Sequence, residues 1–342
     1  MSRDNYIHIV LQFLPGFNKK DIKIFQVESG LINQTFLVKY RMYEYILQKV
    51  NHHVFASPQC IHDNYELVRN ALVKSFYSKE LLFFLKNINH DEVIFHDDEY
   101  WRMSRRIGGQ TFDICTSEDM AKNAAQALAE FHKGLIDVKG IHEPISRFTD
   151  FKFRLEQFNS ALSNALQSRL KNGSDLISSI QSHLKTIEHY LTIESALPKR
   201  IIHGDPKVSN FLFEEKTSKV NAIIDIDTIM RGSILYDFGD MVRSFANPQK
   251  EGVTGNENTF SSSIYKALLK GYLCVNNGFL TKEEAENLPL SVLAVSLTQC
   301  LRFLTDYLNN DSYYLVDYEE QNLHRAKNQF SFYLQAENYL ND

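Results

Sequence analysis

Short apolar runs separated by polar turns dominate the first hundred residues. A stretch at 3–13 carries apolar residues at helical spacing before Pro15-Gly16, which predicts a short lead-in helix. Strand-like runs follow, and we predict strands at 22–27, 35–40, 45–50, 93–95 and 100–103. Tight turns between successive strands indicate a small antiparallel sheet.

Helical spacing takes over in the rest of the chain. Ser57-Pro58 predicts one helix start, and Thr116–Asp119 and Thr281–Glu284 have the composition of helix N-caps. Asn172–Asp175 predicts a break between two helices within 149–197. A long final helix is predicted at about 318–339. The second part of the chain is therefore expected to be mainly helical.

One stretch combines strand pattern with reactive residues. Phe211–Phe213 and 221–224 flank a polar turn and predict a hairpin. Because a hairpin brings its two ends together, Asn210 and Asp225 should lie side by side although they are fifteen positions apart. An amide oxygen beside a carboxylate is a pair of hard ligands that suits Mg²⁺.

The loop before this hairpin carries a carboxylate and a cation. Asp205 lies five positions before Asn210 and could accept a hydroxyl proton, and Lys207 could reach a transferring phosphate. Phosphoryl transfer requires these functions, since the protein must neutralise charge and orient the attacking hydroxyl. The alternative is that His203-Gly204-Asp205 is only a structural turn and Asp225 a solvated strand end.

The spacing H-x-D-x-x-x-x-N at His203–Asn210, followed by the hairpin and Asp225, resembles the protein-kinase-like superfamily. The continuation I-D-I-D-T with Tyr236-Asp237 resembles its aminoglycoside phosphotransferase and choline kinase branch. This resemblance implies an α+β, bilobal fold with a small antiparallel N-lobe (1–107) and a large helical C-lobe (108–342). It also implies ATP as co-substrate and Mg²⁺ as cofactor.

The tripeptide Asp237-Phe238-Gly239 spells the metal-binding motif of protein kinases but lies too far from Asn210 to close the same hairpin. We therefore expect Asp225 to be the metal ligand. The resemblance implies that Asp237 is a buried residue that holds the backbone of the catalytic loop. His132 is expected to be a packed or surface histidine rather than a catalyst.

Nucleotide-binding residues are expected in the sheet lobe. The resemblance matches Gly30 and Asn33 to a loop over the phosphates, although the loop could also be an ordinary turn. Alternation in the third strand puts Leu47 and Lys49 on one face, so Leu47 could form the floor of the adenine site while Lys49, our phosphate-binding cation, reaches the phosphates. The alternatives are that Lys49 is a solvated surface residue, or that the register is shifted to Gln48, where relatives often carry the basic residue.

Two further predictions concern the nucleotide. Asp63 is the expected acidic partner of the lysine, with Glu66 as the alternative, and either acid could simply be solvated. The segment Arg105 to Ile107 is the expected hinge, where backbone groups would pair with adenine.

Composition excludes other classes of function. The chain has 342 residues and a formal net charge of -5, without the basic stripe that nucleic acid requires. Its 4 cysteines are scattered without a C-x-x-C pair, which indicates free thiols in a reducing compartment. No continuous apolar run indicates a membrane span or signal peptide. We expect a cytoplasmic protein without a membrane or nucleic-acid partner, a monomer or weak dimer.

Several separated strings are similar to bacterial N-acetylhexosamine 1-kinases, namely 47–55, 227–240, 301–314 and 322–329. The resemblance implies an amino-sugar acceptor phosphorylated at its anomeric hydroxyl. The expected pocket residues are Asp205, Asp227, Arg302 and Asp306, the last two sharing a helix face at a spacing of four. Arg302 and Asp306 could instead form a structural salt bridge. The alternatives are an aminoglycoside, choline or homoserine kinase, or a non-catalytic kinase-like binding module.

Overall fold

The first part of the chain folds into the predicted helix and antiparallel sheet. This computed structural model describes residues 3–27, 32–55, 57–250 and 259–342. Helix α1 spans Arg3–Phe13. The strands are β1 (Ile22–Val27), β2 (Gln34–Tyr40), β3 (Tyr43–Val50), β4 (Val93–His96) and β5 (Glu99–Arg105). They are antiparallel in the order β1-β2-β3-β5-β4.

The two faces of this sheet have different neighbours. Leu47 and Trp101 lie in one apolar cluster with Ile9 and Val10 of α1. Side chains alternate along a strand, so the residue next to Leu47 points to the opposite face. That face is turned toward helix α2 (Pro58–Lys74), since Val50 lies in the apolar cluster that contains Ile61 and Tyr65, and we call it the cleft face.

The remainder of the chain is mainly helical around two short strand pairs. The helices are α3 (Glu118–Gly134), α4 (Phe151–Asn164), α5 (Gln167–His183), α6 (Lys185–Ala196), α7 (Ile234–Phe245), α8 (Ser262–Leu273), α9 (Lys282–Glu286), α10 (Leu288–Leu308) and α11 (Gln321–Asn341). The strands are β6 (Arg200–Ile202), β7 (Phe211–Phe213), β8 (Val220–Ile223) and β9 (Met230–Gly232). Strand β6 pairs with β9, and β7 pairs with β8. The chain thus has the predicted α+β bilobal fold.

Both predicted caps in the helical part are present. The Ser117 hydroxyl accepts a hydrogen bond from Met120 N, and Thr281 forms a capping box with Glu284. The Glu284 carboxylate also binds Arg200, with Nε donating to Oε1 at 3.0 Å and Nη2 to Oε2 at 2.9 Å. This cap therefore also fixes the start of β6, the strand that leads into the catalytic loop.

The prediction of two helices within 149–197 was wrong, because the segment forms α4, α5 and α6. The expected break at Asn172–Asp175 lies inside α5. Gly173 is buried there, and a β-carbon at its position would lie 3.8 Å from Leu304 of α10. Packing against α10 therefore outweighs the low helix propensity of this segment.

Helix α10 is the core of the helical lobe. Within the described residues it is the helix long and apolar enough to cross a membrane, but 78% of that stretch is buried inside the protein. It packs against α4, α5, α6, α7 and α11. Its apolar character is accounted for by this packing.

Candidate active site

The catalytic loop and hairpin form as the sequence predicts. Strand β6 ends at Ile202, the loop crosses to Asn210, and β7 and β8 then return the chain. Ile224 N donates to Asn210 O at 2.9 Å, so Asn210 and Asp225 are brought together. His203 supports the second strand, since its Nε2 lies 2.9 Å from Ile224 O.

A glycine allows the loop to turn tightly. Gly204 has a φ of +86°, a conformation that other residues rarely adopt. A β-carbon at this position would lie 2.5 Å from Thr228 O, so the space is also closed to a side chain. The turn sets the direction of the next residue, Asp205.

Asp205, Lys207 and Asn210 form one cluster. Lys207 Nζ lies 2.6 Å from Asp205 Oδ2, and Asn210 Nδ2 donates to Asp205 O at 2.8 Å and to Oδ2 at 3.1 Å. Burial by itself would raise the pKa of Asp205, but the Lys207 ammonium, with smaller contributions from His203 and Arg243, outweighs burial and holds that pKa below its ordinary value. A carboxylate that stays ionised at neutral pH can accept a hydroxyl proton.

The chemistry beside this cluster fits a cation. The surrounding protein desolvates the Asp225 carboxyl and raises its pKa although part of the residue is exposed, and the negative charges of Asp227 and Asp205 add to the increase, while Lys207 opposes it. Asn210 directs its amide nitrogen at Asp205. Its amide oxygen therefore points away from Asp205 and is a potential metal ligand. Crowded carboxylates together with an amide oxygen are the hard donor set that Mg²⁺ prefers.

Asp237 holds the catalytic loop, and this prediction is confirmed. Its carboxylate is fully buried and accepts hydrogen bonds from His203 N at 2.6 Å and Gly204 N at 2.9 Å. His132 Nε2 lies 2.9 Å from the same carboxylate, and its Nδ1 lies 2.7 Å from the Tyr272 hydroxyl. His132 is therefore a buried structural residue, as expected.

The prediction for Lys49 does not agree with the structure. Lys49 is in register with Trp101, on the face covered by α1, and its Nζ lies 2.8 Å from Glu99 Oε1. Leu47 lies in the apolar cluster on the same face and so does not form an adenine floor in the cleft. Leu47 and Lys49 share one face of β3 as predicted, but that face packs against α1 and does not face the cleft.

A different cation occupies the cleft face. Arg102 of β5 is in register with Gln48 and donates from Nε to Gln48 Oε1 at 2.9 Å. Its Nη1 lies 2.6 Å from Asp227 Oδ1, and Nη2 donates to Asp227 Oδ2 at 2.9 Å. Asn33 Nδ2 donates to the same Oδ2 at 2.6 Å. Asp227 is thus held by the sheet lobe and is not an open wall of the acceptor pocket, contrary to its predicted role.

The remaining nucleotide-side predictions have mixed outcomes. Gly30 lies outside the described residues. Asp63 is exposed and accepts a hydrogen bond from Gln59, while Glu66 lies 3.8 Å from Arg69, so neither partners Lys49. On α2, the polar side chains that are buried are instead His62 and Asn64.

The predicted hinge is partly committed to the sheet. Arg105 N donates to Phe83 O at 3.0 Å, and Arg106 N donates to Glu44 O at 3.1 Å. Ile107 follows these residues, and Asn221 Nδ2 then donates to Gly108 O at 3.0 Å. Arg105 and Arg106 thus use their backbone N–H groups within the protein, whereas the described backbone hydrogen bonds include none from Ile107 N.

Arg302 lines a small cavity of about 10 Å³ at the junction of α4, α7 and α10, room for roughly one water molecule, so a sugar would require these helices to separate. Its neighbours there include Phe148, Arg154, Tyr236 and Gln299. Burial and the nearby charge of Arg302 both lower the pKa of Arg154, which indicates that the two guanidinium groups are close. Burial raises the pKa of Tyr236, and the charges of Asp240 and Asp205 contribute, so this cavity lies within electrostatic reach of the catalytic loop.

Asp306 has a structural role in place of the predicted substrate contact. Its carboxylate accepts hydrogen bonds from Tyr313 N at 2.8 Å, Tyr314 N at 2.9 Å and Asn322 Nδ2 at 2.9 Å. Arg302 donates instead to Gln299 Oε1 at 2.9 Å, so the alternative Arg302–Asp306 salt bridge is not formed either. Asp306 fixes the turn after α10, which places the Tyr314 ring near Arg302.

Three residues of the site were missed by sequence reasoning: Arg102, Arg154 and Tyr236. Arg102 is on a strand whose alternation was visible, so a comparison of both faces of β5 could have found it. Tyr236 directly precedes Asp237. Nothing in the local sequence distinguishes Arg154 from other helix arginines.

The chain matches the phosphotransferase enzyme family over residues 23–272. Its fold is similar to that of an aminoglycoside phosphotransferase from Alicyclobacillus acidocaldarius, with 14% identity, a TM-score of 0.62, and coverage of 96% of this chain and 95% of the other.

Two further solved structures share the fold. A choline kinase from Cryptosporidium parvum has 15% identity and a TM-score of 0.61, with 99% and 96% of the two chains covered. A microcompartment-associated aminopropanol kinase has 16% identity and a TM-score of 0.64, with 98% of each chain covered. The TM-scores show a common fold. Identities this low do not identify the acceptor of this chain.

Proposed function

This chain belongs to the phosphotransferase enzyme family, whose members transfer a phosphoryl group from ATP to a hydroxyl, and we propose that its acceptor is an N-acetylhexosamine. The product would be the sugar 1-phosphate, formed at the anomeric hydroxyl of N-acetylglucosamine or N-acetylgalactosamine.

The roles of the catalytic residues follow from the geometry around Asp205. Asp205 would accept the proton of the attacking hydroxyl, and Lys207 would keep Asp205 ionised and contact the transferring phosphate. Asn210 and Asp225 would hold Mg²⁺, which when bound neutralises phosphate charge. The excess of carboxylates around Asp225 supports this assignment.

The pair of arginines in the acceptor cavity is the observation that carries the substrate proposal. Arg154 and Arg302 line the same cavity, and within the described residues neither forms an ion pair with a carboxylate. A polycationic drug or a choline ammonium would be repelled there. Acetylation removes the charge of an amino sugar while keeping its hydroxyls and amide, which suits guanidinium donors.

The nucleotide is proposed to bind between the two lobes, which we divide after Ile107. Ile107 is our candidate for pairing with adenine, and Asn33 and Gly30 stay predicted contacts of the phosphate-covering loop. We place the enzyme in the cytoplasm, where ATP is available and where the free cysteines would stay reduced.

A second candidate acceptor is homoserine, because a pair of arginines could also bind its carboxylate. A non-catalytic binding module is the other alternative. The proteins of similar fold are named for different small acceptors, so the acceptor of this chain must be tested directly.

An acceptor panel tests the proposal. The purified protein is incubated with ATP, with or without Mg²⁺, and with N-acetylglucosamine, N-acetylgalactosamine, glucosamine, choline, homoserine or kanamycin, and ADP release is measured. We expect turnover with the acetylated sugars in Mg²⁺ and much less with glucosamine, which differs by the charge. Turnover with homoserine alone would show that homoserine, and not an acetylated sugar, is the acceptor. Absence of turnover with every acceptor would favour a non-catalytic binding module.

Arg302→Ala tests the pocket. Loss of a charged hydrogen bond should raise KM for the sugar roughly 10–100-fold and leave KM for ATP unchanged. Arg69→Ala, which removes a partly exposed arginine of α2, is the control. Equal effects of the two variants on the sugar would contradict the assignment.

A further inference from the structure

The positively charged side chain on the cleft face comes from β5, whereas the sequence predicted one from β3. Gln48 of β3 and Arg102 of β5 are in register and both face the cleft, whereas Lys49 faces α1 and is paired with Glu99. An enzyme that uses ATP needs positive charge at the nucleotide phosphates. At the inner end of this face, beside the Asp225 loop, the described part of β3 contributes an amide and no cation.

Arg102 is held firmly in place. It is 2% exposed, its guanidinium stacks over Phe84 at 5.3 Å, and Gln48 and Asp227 fix the orientation of that group. A guanidinium has five N–H donors, and the contacts to Gln48 and Asp227 use about three of them. Two of the five donors are therefore left for an additional anion, which must approach the small part of the residue that is exposed, 2% in this structure.

The location of the partner connects Arg102 with the proposed metal ligands. Asp227 lies two positions after Asp225, in the short helical turn Ile226–Thr228. Asn33, at the end of the β1–β2 connection, donates to the same Asp227 carboxylate and accepts from Asn51 N at 2.9 Å. One carboxylate thus joins the arginine, the β1–β2 connection and the Asp225 turn.

Burial of such an ion pair is not an efficient way to stabilise a fold. Removing two charges from water costs free energy that their attraction often only offsets, and an apolar pair of similar volume can be as stable. A buried pair beside the proposed metal ligands is better explained by a requirement for charge at that place.

We propose that Arg102 binds the nucleotide phosphates in place of a β3 lysine, with Gln48 and Asp227 as the residues that position it. This inference rests on the proposed use of ATP and is independent of the identity of the acceptor. The ligand it assigns to Arg102 is the α- and β-phosphate part of the nucleotide.

The test compares ADP with adenosine, which lacks the phosphates, by calorimetric titration in Mg²⁺. Arg102→Ala should weaken ADP roughly 10–100-fold, the range for a lost charge-assisted contact, and leave adenosine unchanged. Lys49→Ala, which removes the neighbouring cation of the opposite face, should change neither affinity. Equal weakening of ADP and adenosine by Arg102→Ala, or selective loss of ADP with Lys49→Ala, would overturn the proposal.

Two double variants separate charge from stability, since Arg102→Ala leaves Asp227 buried without its partner. Arg102→Gln with Asp227→Asn removes both charges together, and ADP affinity should stay low if the arginine binds phosphate. Gln48→Lys with Arg102→Ala moves the cation to β3 and should recover part of the ADP affinity. Wild-type ADP affinity in the neutral pair would show a structural role only. Absence of ADP binding by the wild-type protein would overturn both this inference and the ATP-dependent activity, whereas failure of the sugar panel alone would leave Arg102 unaffected.

Discussion

Asp205 is the residue on which the catalytic proposal depends. Asp205→Asn keeps the size of the side chain and an oxygen for Lys207 and Asn210, but removes the proton acceptor. We expect turnover to fall about 10²–10⁴-fold while ADP affinity holds. Because the pKa of Asp205 is lowered in the folded protein, its charge favours folding at neutral pH, and the variant should fold but melt at a slightly lower temperature. Asp137→Asn, at an exposed position after α3, is the control. A turnover close to that of the wild type would remove Asp205 from the mechanism.

Asp237 is a residue whose importance is structural. Its carboxylate accepts two backbone N–H groups and contacts His132, and an amide would direct its own NH₂ group at one of these partners. Asp237→Asn should lower the free energy of unfolding by at least about 2 kcal/mol, measured by denaturant titration. Asp225→Asn is the comparison, because the pKa of Asp225 is raised and its charge does not favour folding. If Asp225→Asn were the more destabilised protein, the two assignments would be reversed.

Packing between two helices shapes the cavity that we propose as the acceptor site. Helix α7 carries Tyr236 and α10 carries Arg302, and they approach closely at Gly239. A β-carbon at Gly239 would lie 2.5 Å from Ser291 O and 2.8 Å from Val295 Cγ2. The distance between the two walls of the cavity is thus set partly by this glycine.

Gly239→Ala should therefore affect both stability and acceptor binding. Forcing a methyl group into this contact costs about 1–3 kcal/mol, and separation of α7 from α10 should raise KM for the acceptor. Gly16→Ala, where a β-carbon would meet nothing within 4 Å, is the matched control for denaturant unfolding. Equal stability of the two variants would mean that α7 and α10 adjust without strain.

The two lobes are connected by polar contacts near the cleft. Asn64 of α2 donates to His142 O at 2.9 Å and to Ile229 O at 3.1 Å, and the Arg102–Asp227 pair crosses the same region. A nucleotide bound between the lobes should add to these connections. Ligand binding is then expected to stabilise the whole molecule.

Removal of Mg²⁺ tests whether nucleotide binding stabilises the whole molecule. At an ADP concentration of 100 times Kd, Mg²⁺-dependent binding should add about 2.7 kcal/mol of stability and raise the melting temperature. Chelation with EDTA should remove most of this increase, and Asp225→Asn should abolish its dependence on Mg²⁺. An undiminished shift in EDTA would contradict metal-assisted nucleotide binding.

The sequence by itself determined the parts that depend on short-range geometry. The five strands of the sheet and several helices followed from periodicity, and the neighbourhood of Asn210 and Asp225 followed from a hairpin of fixed length. Asp205 and Lys207 lie on the same short loop, so their proximity was also local. Backbone geometry limits what such a short segment can do, and these features were predictable for that reason.

Tertiary structure decided which side of each element is functional. The alternation of β3 was correct, but only the docking of α1 shows that Lys49 faces away from the cleft and that Arg102 of another strand faces into it. Asp306 and Asp227 are polar residues at suitable positions, yet partners distant in sequence engage both. Likewise α5 continues through Gly173 because α10 packs against it. Spacing along one element defines its faces, whereas contacts between elements decide which face meets the substrate.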